Sequence, residues 1–294
     1  MFATILTNRA VVAVGGDEAR SFLDRLLTNS LAGVSPQRAC HAALLTPQGK
    51  MVAEAFITEI AAEEGGGFLL DVARSQVDEL VAKLGFYRLR AKVTIAEVGG
   101  EAVVAALWGE GAPGTLAHAV ADPRLPALGF RAVIDREGAE DALIAAGATL
   151  ADERAYHLHR IALGVPEPGL DYVLSETFPH EADMDQLAGI DFRKGCFIGQ
   201  EVVSRMQHRG TARTRVVPVV ATDGGFLPEA GLPVLAGDKT VGTMGSAVEG
   251  RGLALLRLDR VTDALTANLP LVCGGVHLKP VKPDWATFAF PGEG

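Results

Sequence analysis

Lys194-Gly195-Cys196-Phe197-Ile198-Gly199-Gln200-Glu201 sets a cation, a thiol and two glycines in a single turn. From Glu201 the chain continues EVVSRMQHR, with Val202, Val203 and Met206 at i, i+1 and i+4, the spacing of one helix face. Cys196 is therefore expected just upstream of a helix N-terminus and two residues from Lys194. Free helix N–H groups and an ammonium both favour thiolate over thiol. Gly195 and Gly199 allow positive φ and a close approach of a ligand to the backbone. The competing reading is a buried structural cysteine in a tight turn, since free cysteine is among the most buried residue types.

Charge is segregated around this turn. Residues 176–191 carry Glu176, Glu181, Asp183, Asp185 and Asp191 and no Lys or Arg. Residues 193–215 carry Arg193, Lys194, Arg205, Arg209, Arg213 and Arg215 against Glu201 alone. Such a basic block needs a counter-charge, from the acidic segment beside it or from an anionic ligand.

Upstream, residues 2–14 read as strand, and Asp17 is expected to cap a helix bearing Phe22, Leu23, Leu26 and Leu27. Residues 41–60 read as a hairpin about a Pro47-Gln48-Gly49 turn, and 68–72 as a further strand. A helix capped by Ser75 and closed by Gly85 follows, then a strand over 90–97. Strands at 101–108 and 130–134 and a helix at 137–146 come next, then a helix capped by Asp152 and stopped by Gly164 and Pro166. After residue 214 short β-rich runs alternate with Gly, Pro and Asp turns, and no helix is expected there: the texture of a small barrel or sandwich.

At 294 residues the chain suits two or three domains. Its net charge of −9 argues against a nucleic-acid partner, whose binding rests on Lys and Arg neutralising phosphates. Cys40, Cys196 and Cys273 are scattered, odd in number and form no CxxC, so no disulfide framework or bound metal is expected. No apolar run approaches the ~20 residues of a membrane span, and the N-terminal stretch lacks the basic start and cleavage site of a signal peptide. No membrane partner and a cytoplasmic location are the resulting expectations.

KGCFIGQE resembles the signature of the YgfZ family of folate-binding proteins, relatives of the T-protein (aminomethyltransferase) of the glycine cleavage system. Other blocks resemble the family as well: Phe22–Asn29, Thr46–Lys50, Arg160–Pro166, Pro179-His180-Glu181, Gly189–Phe192, Val241-Gly242 and Gly252–Arg257. The resemblance implies an α+β fold in three parts. A folate-binding domain would comprise residues 1–46 and 97–213, interrupted by a ferredoxin-like module at 47–96 and followed by a β-barrel at 214–294. It implies tetrahydrofolate as cofactor, and iron–sulfur assembly proteins or cluster-containing enzymes as partners. Cys196 would be the functional thiol and Lys194 its electrostatic partner. Glu181 would hold the pterin, Arg213 or Arg215 the tail end, and Asn29 and Glu54 belong to the same folate-binding set. Aminomethyltransferases carry aspartates on the hairpin strand where this chain has Ala53 and Glu54. Glu54 keeps a carboxylate but is one methylene longer, and a displacement of about 1 Å costs ~10²-fold in rate. A one-carbon transferase and a thiol-redox protein centred on Cys196 are the rival readings. His41, His157 and His159 are taken as ordinary residues.

Overall fold

The computed structural model describes every residue except Thr115, Thr211, Glu293 and Gly294. Two strands that read as continuous apolar runs, β3 (Cys40–Leu45) and β4 (Met51–Glu59), are buried along nearly their whole length, as expected of strands covered on both faces. They pair antiparallel across the 46–50 turn, with a bulge between Leu44 and Leu45. With β2 (Arg9–Gly15), β5 (Phe68–Ala73) and β6 (Thr94–Glu97) they form a sheet of order β3-β4-β5-β2-β6. One face buries Val12, Leu44, Ala55, Ile57 and Leu70 against α1 (Ala19–Leu26) and α2 (Val77–Arg88), which contribute Phe22, Leu23, Leu80 and Leu84.

A second sheet runs β10-β1-β7-β9-β8 and contains β1 (Phe2–Leu6), β7 (Ala102–Trp108), β8 (Ala119–Ala121), β9 (Phe130–Asp135) and β10 (Thr149–Leu150). α3 (Ala139–Ala145) packs Ala139 and Leu143 on it. The strands of 47–96 share their sheet with β2 and β3, so the expected module boundary at 46/97 cuts a hydrogen-bonded hairpin and does not enclose a separate sheet.

The closed barrel β11-β14-β13-β12-β15-β16 is built from β11 (Thr214–Ala221), β12 (Pro233–Ala236), β13 (Lys239–Val248), β14 (Arg251–Arg257), β15 (Leu271–Cys273) and β16 (Val276–Pro280). Val217, Val219, Val234, Leu256 and Leu271 fill it. α6 (Leu258–Thr266) also lies in this region, contrary to the expectation of no helix there. The remaining helices are α4 (Glu153–Ala162) and α5 (Gln200–Arg209). The chain divides into two compact units, Met1–Tyr156 with Leu187–Val202, and His157–Gln186 with Val203–Gly294.

Several local expectations shift. Asp152 caps α4 by accepting the Ala155 N–H at 2.8 Å, but Asp17 does not cap α1, whose N-cap residue is Glu18. Gly85 does not end α2, which continues to Arg88 before Leu89 leaves the helix at φ +46°.

Candidate functional site

The signature loop is stitched to the first unit by backbone and side-chain bonds. Thr28 Oγ1 donates to the Gly189 carbonyl at 2.7 Å and accepts the Ala43 N–H at 2.8 Å. Asn29 Nδ2 donates to the carbonyls of His41 (2.8 Å) and Ala188 (2.7 Å), so this amide ties the segment before the signature to β3. Lys194 Nζ donates to the carbonyls of Asp24, Leu27 and Asn29. Asp24 belongs to the last turn of α1, where carbonyls lack intrahelical partners, so the ammonium caps that helix rather than pairing with Cys196. Burial lowers the Lys194 pKa, opposed by Asp24, Asp191 and Cys40. The thiol that Lys194 feels is therefore Cys40, which burial pushes up to about 12 against the pull of Lys194.

Cys196 itself is exposed, whereas Cys40 and Cys273 are buried. Phe197, next to it, is buried and anchors the loop. Gly199 adopts φ +78°, and a Cβ there would stand 2.7 Å from the Thr46 carbonyl oxygen and 3.0 Å from Gly49 Cα. The second glycine of the signature thus serves a close fit against the 46–49 turn, while Gly195 has no positive φ. A cavity of about 610 Å³ lies beside this region, lined among others by Asn29, Arg38, Cys40, His41, Asp122 and Arg193.

Glu54 is 3% exposed and belongs to a cluster on the polar face of the first sheet. Arg9 and Arg131 grip Asp71 (Nε–Oδ1 2.6 Å and Nε–Oδ2 2.8 Å), and Arg124 holds Asp122 by two bonds of 3.0 and 2.8 Å. All three guanidinium groups stand over the Phe56 ring, Arg9 at 5.3 Å, Arg124 at 4.6 Å and Arg131 at 4.2 Å. His41 Nδ1 bonds the Leu187 carbonyl, and its Nε2 faces Glu54 Oε1 at 3.7 Å. Burial alone would raise the Glu54 pKa, but His41, Arg124 and Arg9 outweigh it and bring it to about 2. Glu54 is the one member of this cluster that the sequence marks as a candidate; His41, Arg124 and Arg9 act on its carboxylate, while Asp71 and Asp122 balance Arg131 and Arg124.

In the second unit, Arg215 is buried and binds both carboxylate oxygens of Asp185, with Asp183 Oδ1 at 3.3 Å and the His180 carbonyl at 2.6 Å. Arg213 is exposed and stands 3.7 Å from Asp259. Both arginines line a cavity of about 520 Å³ with His180, Phe288 and Phe290. Glu181 lines a different cavity, of about 500 Å³, beside Tyr172 and Met244. Its Oε2 accepts the Phe178 N–H at 2.8 Å. The pterin-holding and tail-holding residues expected from the sequence therefore do not converge on one cavity of this unit.

The human iron–sulfur cluster assembly factor IBA57, mitochondrial, is 33% identical over 305 residues, covering 95% of this chain and 84% of its own. The chain belongs to the IBA57 family. The IBA57 homolog of Pyricularia oryzae is 30% identical over 292 residues, covering 91% of this chain and 74% of its own. That of Mycosarcoma maydis is 34% identical over 237 residues, and this chain spans 58% of its length. Residues 213–288 match the family described as CAF17, C-terminal beta-barrel domain. The crystal structure of glycine cleavage system aminomethyltransferase T from Bartonella henselae aligns with a TM-score of 0.73 over 98% of this chain and 87% of that one. At 14% identity that likeness is one of fold, the aminomethyltransferase-like fold. The IBA57 relatives are named mitochondrial, which overturns the cytoplasmic expectation and points to mitochondria instead.

Proposed function

We propose that this chain is an iron–sulfur cluster assembly factor whose working group is the Cys196 thiol. The observation that carries the reading is exposure: of the three cysteines only Cys196 is open to solvent, and it stands four residues before α5 in a member of a family whose relatives are named for cluster assembly. A cluster iron is bound by thiolate, and only an accessible sulfur can meet a cluster delivered by another protein. Lys194 acts in this scheme as a positioning residue. It fixes the base of the loop to the end of α1 through three carbonyls. A thiol-redox role is less well supported, since Cys40 and Cys273 are buried and offer no exposed resolving thiol.

The same reading carries tetrahydrofolate as ligand, in the manner of the YgfZ family. The residues fit part of that molecule. Glu181 has the acceptor chemistry for a pterin edge, on which one carboxylate takes paired N–H donors, and Arg213 has a solvent-facing guanidinium for a carboxylate tail, but the two line separate cavities, so one folate molecule would have to reach both. Arg215 does not fit the tail role, because Asp183 and Asp185 already occupy it.

The test replaces Cys196 with Ser and Glu181 with Ala in cells depleted of the native protein, and follows the activity of cluster-containing enzymes. Loss with Cys196→Ser at normal protein abundance is the expected result; full rescue by that variant would remove the thiol from the function. Calorimetric titration of tetrahydrofolate into the wild type and Glu181→Ala checks the ligand separately.

A further inference from the structure

The end of α2 carries a surface that the thiol reading does not use. Phe86 is 72% exposed and Leu89 86% exposed, three residues apart. Tyr87 stands edge-on to Phe86 with ring centroids 5.2 Å apart. Leu89 is held at φ +46°, ψ −107°, a conformation costly for a residue with a branched side chain and a reason to look for a role. Lys83, Arg88, Arg90 and Lys92 flank the pair in sequence, all exposed, and no acidic residue occurs from Leu80 to Ala96; from outside that stretch Glu18 brings a carboxylate, which accepts the Lys92 backbone N–H at 2.7 Å. Among the described residues none of these four side chains has an ion pair or hydrogen bond. In a chain of net charge −9, a ten-residue stretch with four unpaired cations and two projecting apolar side chains stands apart.

We infer that this end of α2 is a peripheral contact for an anionic bilayer surface. Phe86 and Leu89 enter the headgroup boundary while Lys83, Arg88, Arg90 and Lys92 meet lipid phosphates. An acidic protein would satisfy the same charges, but the apolar side chains project instead of lining a recess. A bilayer deforms around a projecting side chain, whereas a folded partner must already own a matching socket. The contact is peripheral, because no helix among the described residues is long and apolar enough to cross a membrane. It is also weak and reversible: two side chains and four cations fall short of stable anchoring. The chain's negative charge elsewhere restricts binding to this one orientation at separations within the Debye length of ~8–10 Å.

The test is cosedimentation with vesicles of phosphatidylcholine alone and of equimolar phosphatidylcholine and phosphatidylglycerol. The bound fraction should be several-fold higher on the anionic vesicles and fall as salt is raised. Phe86→Ser with Leu89→Ser should lower it by about tenfold, and Lys83→Gln with Arg90→Gln, which leaves Arg88 and Lys92, should lower binding to the anionic vesicles and weaken its salt dependence. These positions are exposed, so melting temperatures should not move. Phe226→Ser, at a still more exposed phenylalanine of the other unit, should bind as the wild type does. Equal binding to both vesicle types, or no loss in the Phe86/Leu89 variant, overturns the proposal. Retention on immobilised poly-glutamate without vesicle binding overturns it in favour of an acidic protein partner.

Discussion

Glu54→Ala is the perturbation whose outcome separates a structural carboxylate from a chemical one. Glu54, Asp71 and Asp122 balance Arg9, Arg124 and Arg131 in a cluster that is almost wholly buried. In the folded chain the Glu54 carboxyl is lowered from 4.5 to about 2. At ~1.36 kcal/mol per pH unit that corresponds to about 3 kcal/mol, and burial leaves no solvent screening to discount it. A carboxylate with a depressed folded pKa stabilises above its unfolded value and loses that contribution as pH falls through the folded one. The stabilisation is thus complete above pH 4.5 and gone near pH 2. Removing the side chain leaves an uncompensated cation, so the expected loss at neutral pH is ~3–5 kcal/mol. Urea unfolding followed by Trp108 fluorescence in a Trp285→Phe background reports the unit that holds the cluster. The gap between wild type and variant should close as the pH is lowered. A loss under ~1 kcal/mol at pH 7, or a gap that does not change with pH, would refute the reasoning.

Cys196 should label with iodoacetamide in the native state while Cys40 and Cys273 label only on unfolding, since burial raises the pKa of both; mass mapping of the adducts reads this. Asp183→Asn should raise the melting temperature. Burial raises the Asp183 carboxyl well above its ordinary value despite Arg215, so the charge opposes folding increasingly as pH rises from the unfolded value, and Asn tolerates the left-handed φ of +59° found there. Gly199→Ala should cost ~2–4 kcal/mol in denaturant unfolding, from a left-handed φ and a Cβ 2.7 Å from the Thr46 carbonyl.

The strands and the barrel were legible because their apolar runs are bounded by strong turn chemistry, as at Pro47-Gln48-Gly49. α6 was not, because Leu258–Thr266 follows β14 without a break and carries only a short apolar stripe, Leu258, Val261 and Ala264. The pairing of His41 with Glu54 was hidden for a more instructive reason. Leu45 pairs with Met51, but the bulge makes Leu44 pair with Ala53, so His41 lies opposite Phe56 and shares a face with Glu54. Without that one-residue shift His41 would lie opposite Ala55 and Glu54 would point the other way. A bulge of this kind leaves no mark in composition or periodicity. The role of Lys194 was likewise unreadable, since its partners at 24, 27 and 29 are brought to it only by the folded loop.

The hairpin carboxylate bears directly on the choice between cluster assembly and one-carbon transfer. A transferring carboxylate must reach the reacting carbon or the group that carries it. Glu54 is 3% exposed, faces His41, and sits where Arg9 and Arg124 hold it ionised far below neutral pH. A base with so low a pKa has little proton affinity to offer, because catalytic power is greatest when the pKa lies near the working pH. Its neighbour Ala53 has no titratable group at all and packs in the apolar core. The strand that would carry transfer chemistry is thus turned to holding the two sheets together. The exposed thiol remains on the signature loop, which Lys194, Asn29 and Thr28 hold in place. Under the proposed reading, the working group therefore lies on the loop before α5 and not on the hairpin. For that reason Cys196→Ser should abolish function at normal abundance, whereas Glu54→Ala should reduce function only as far as it reduces the amount of folded protein.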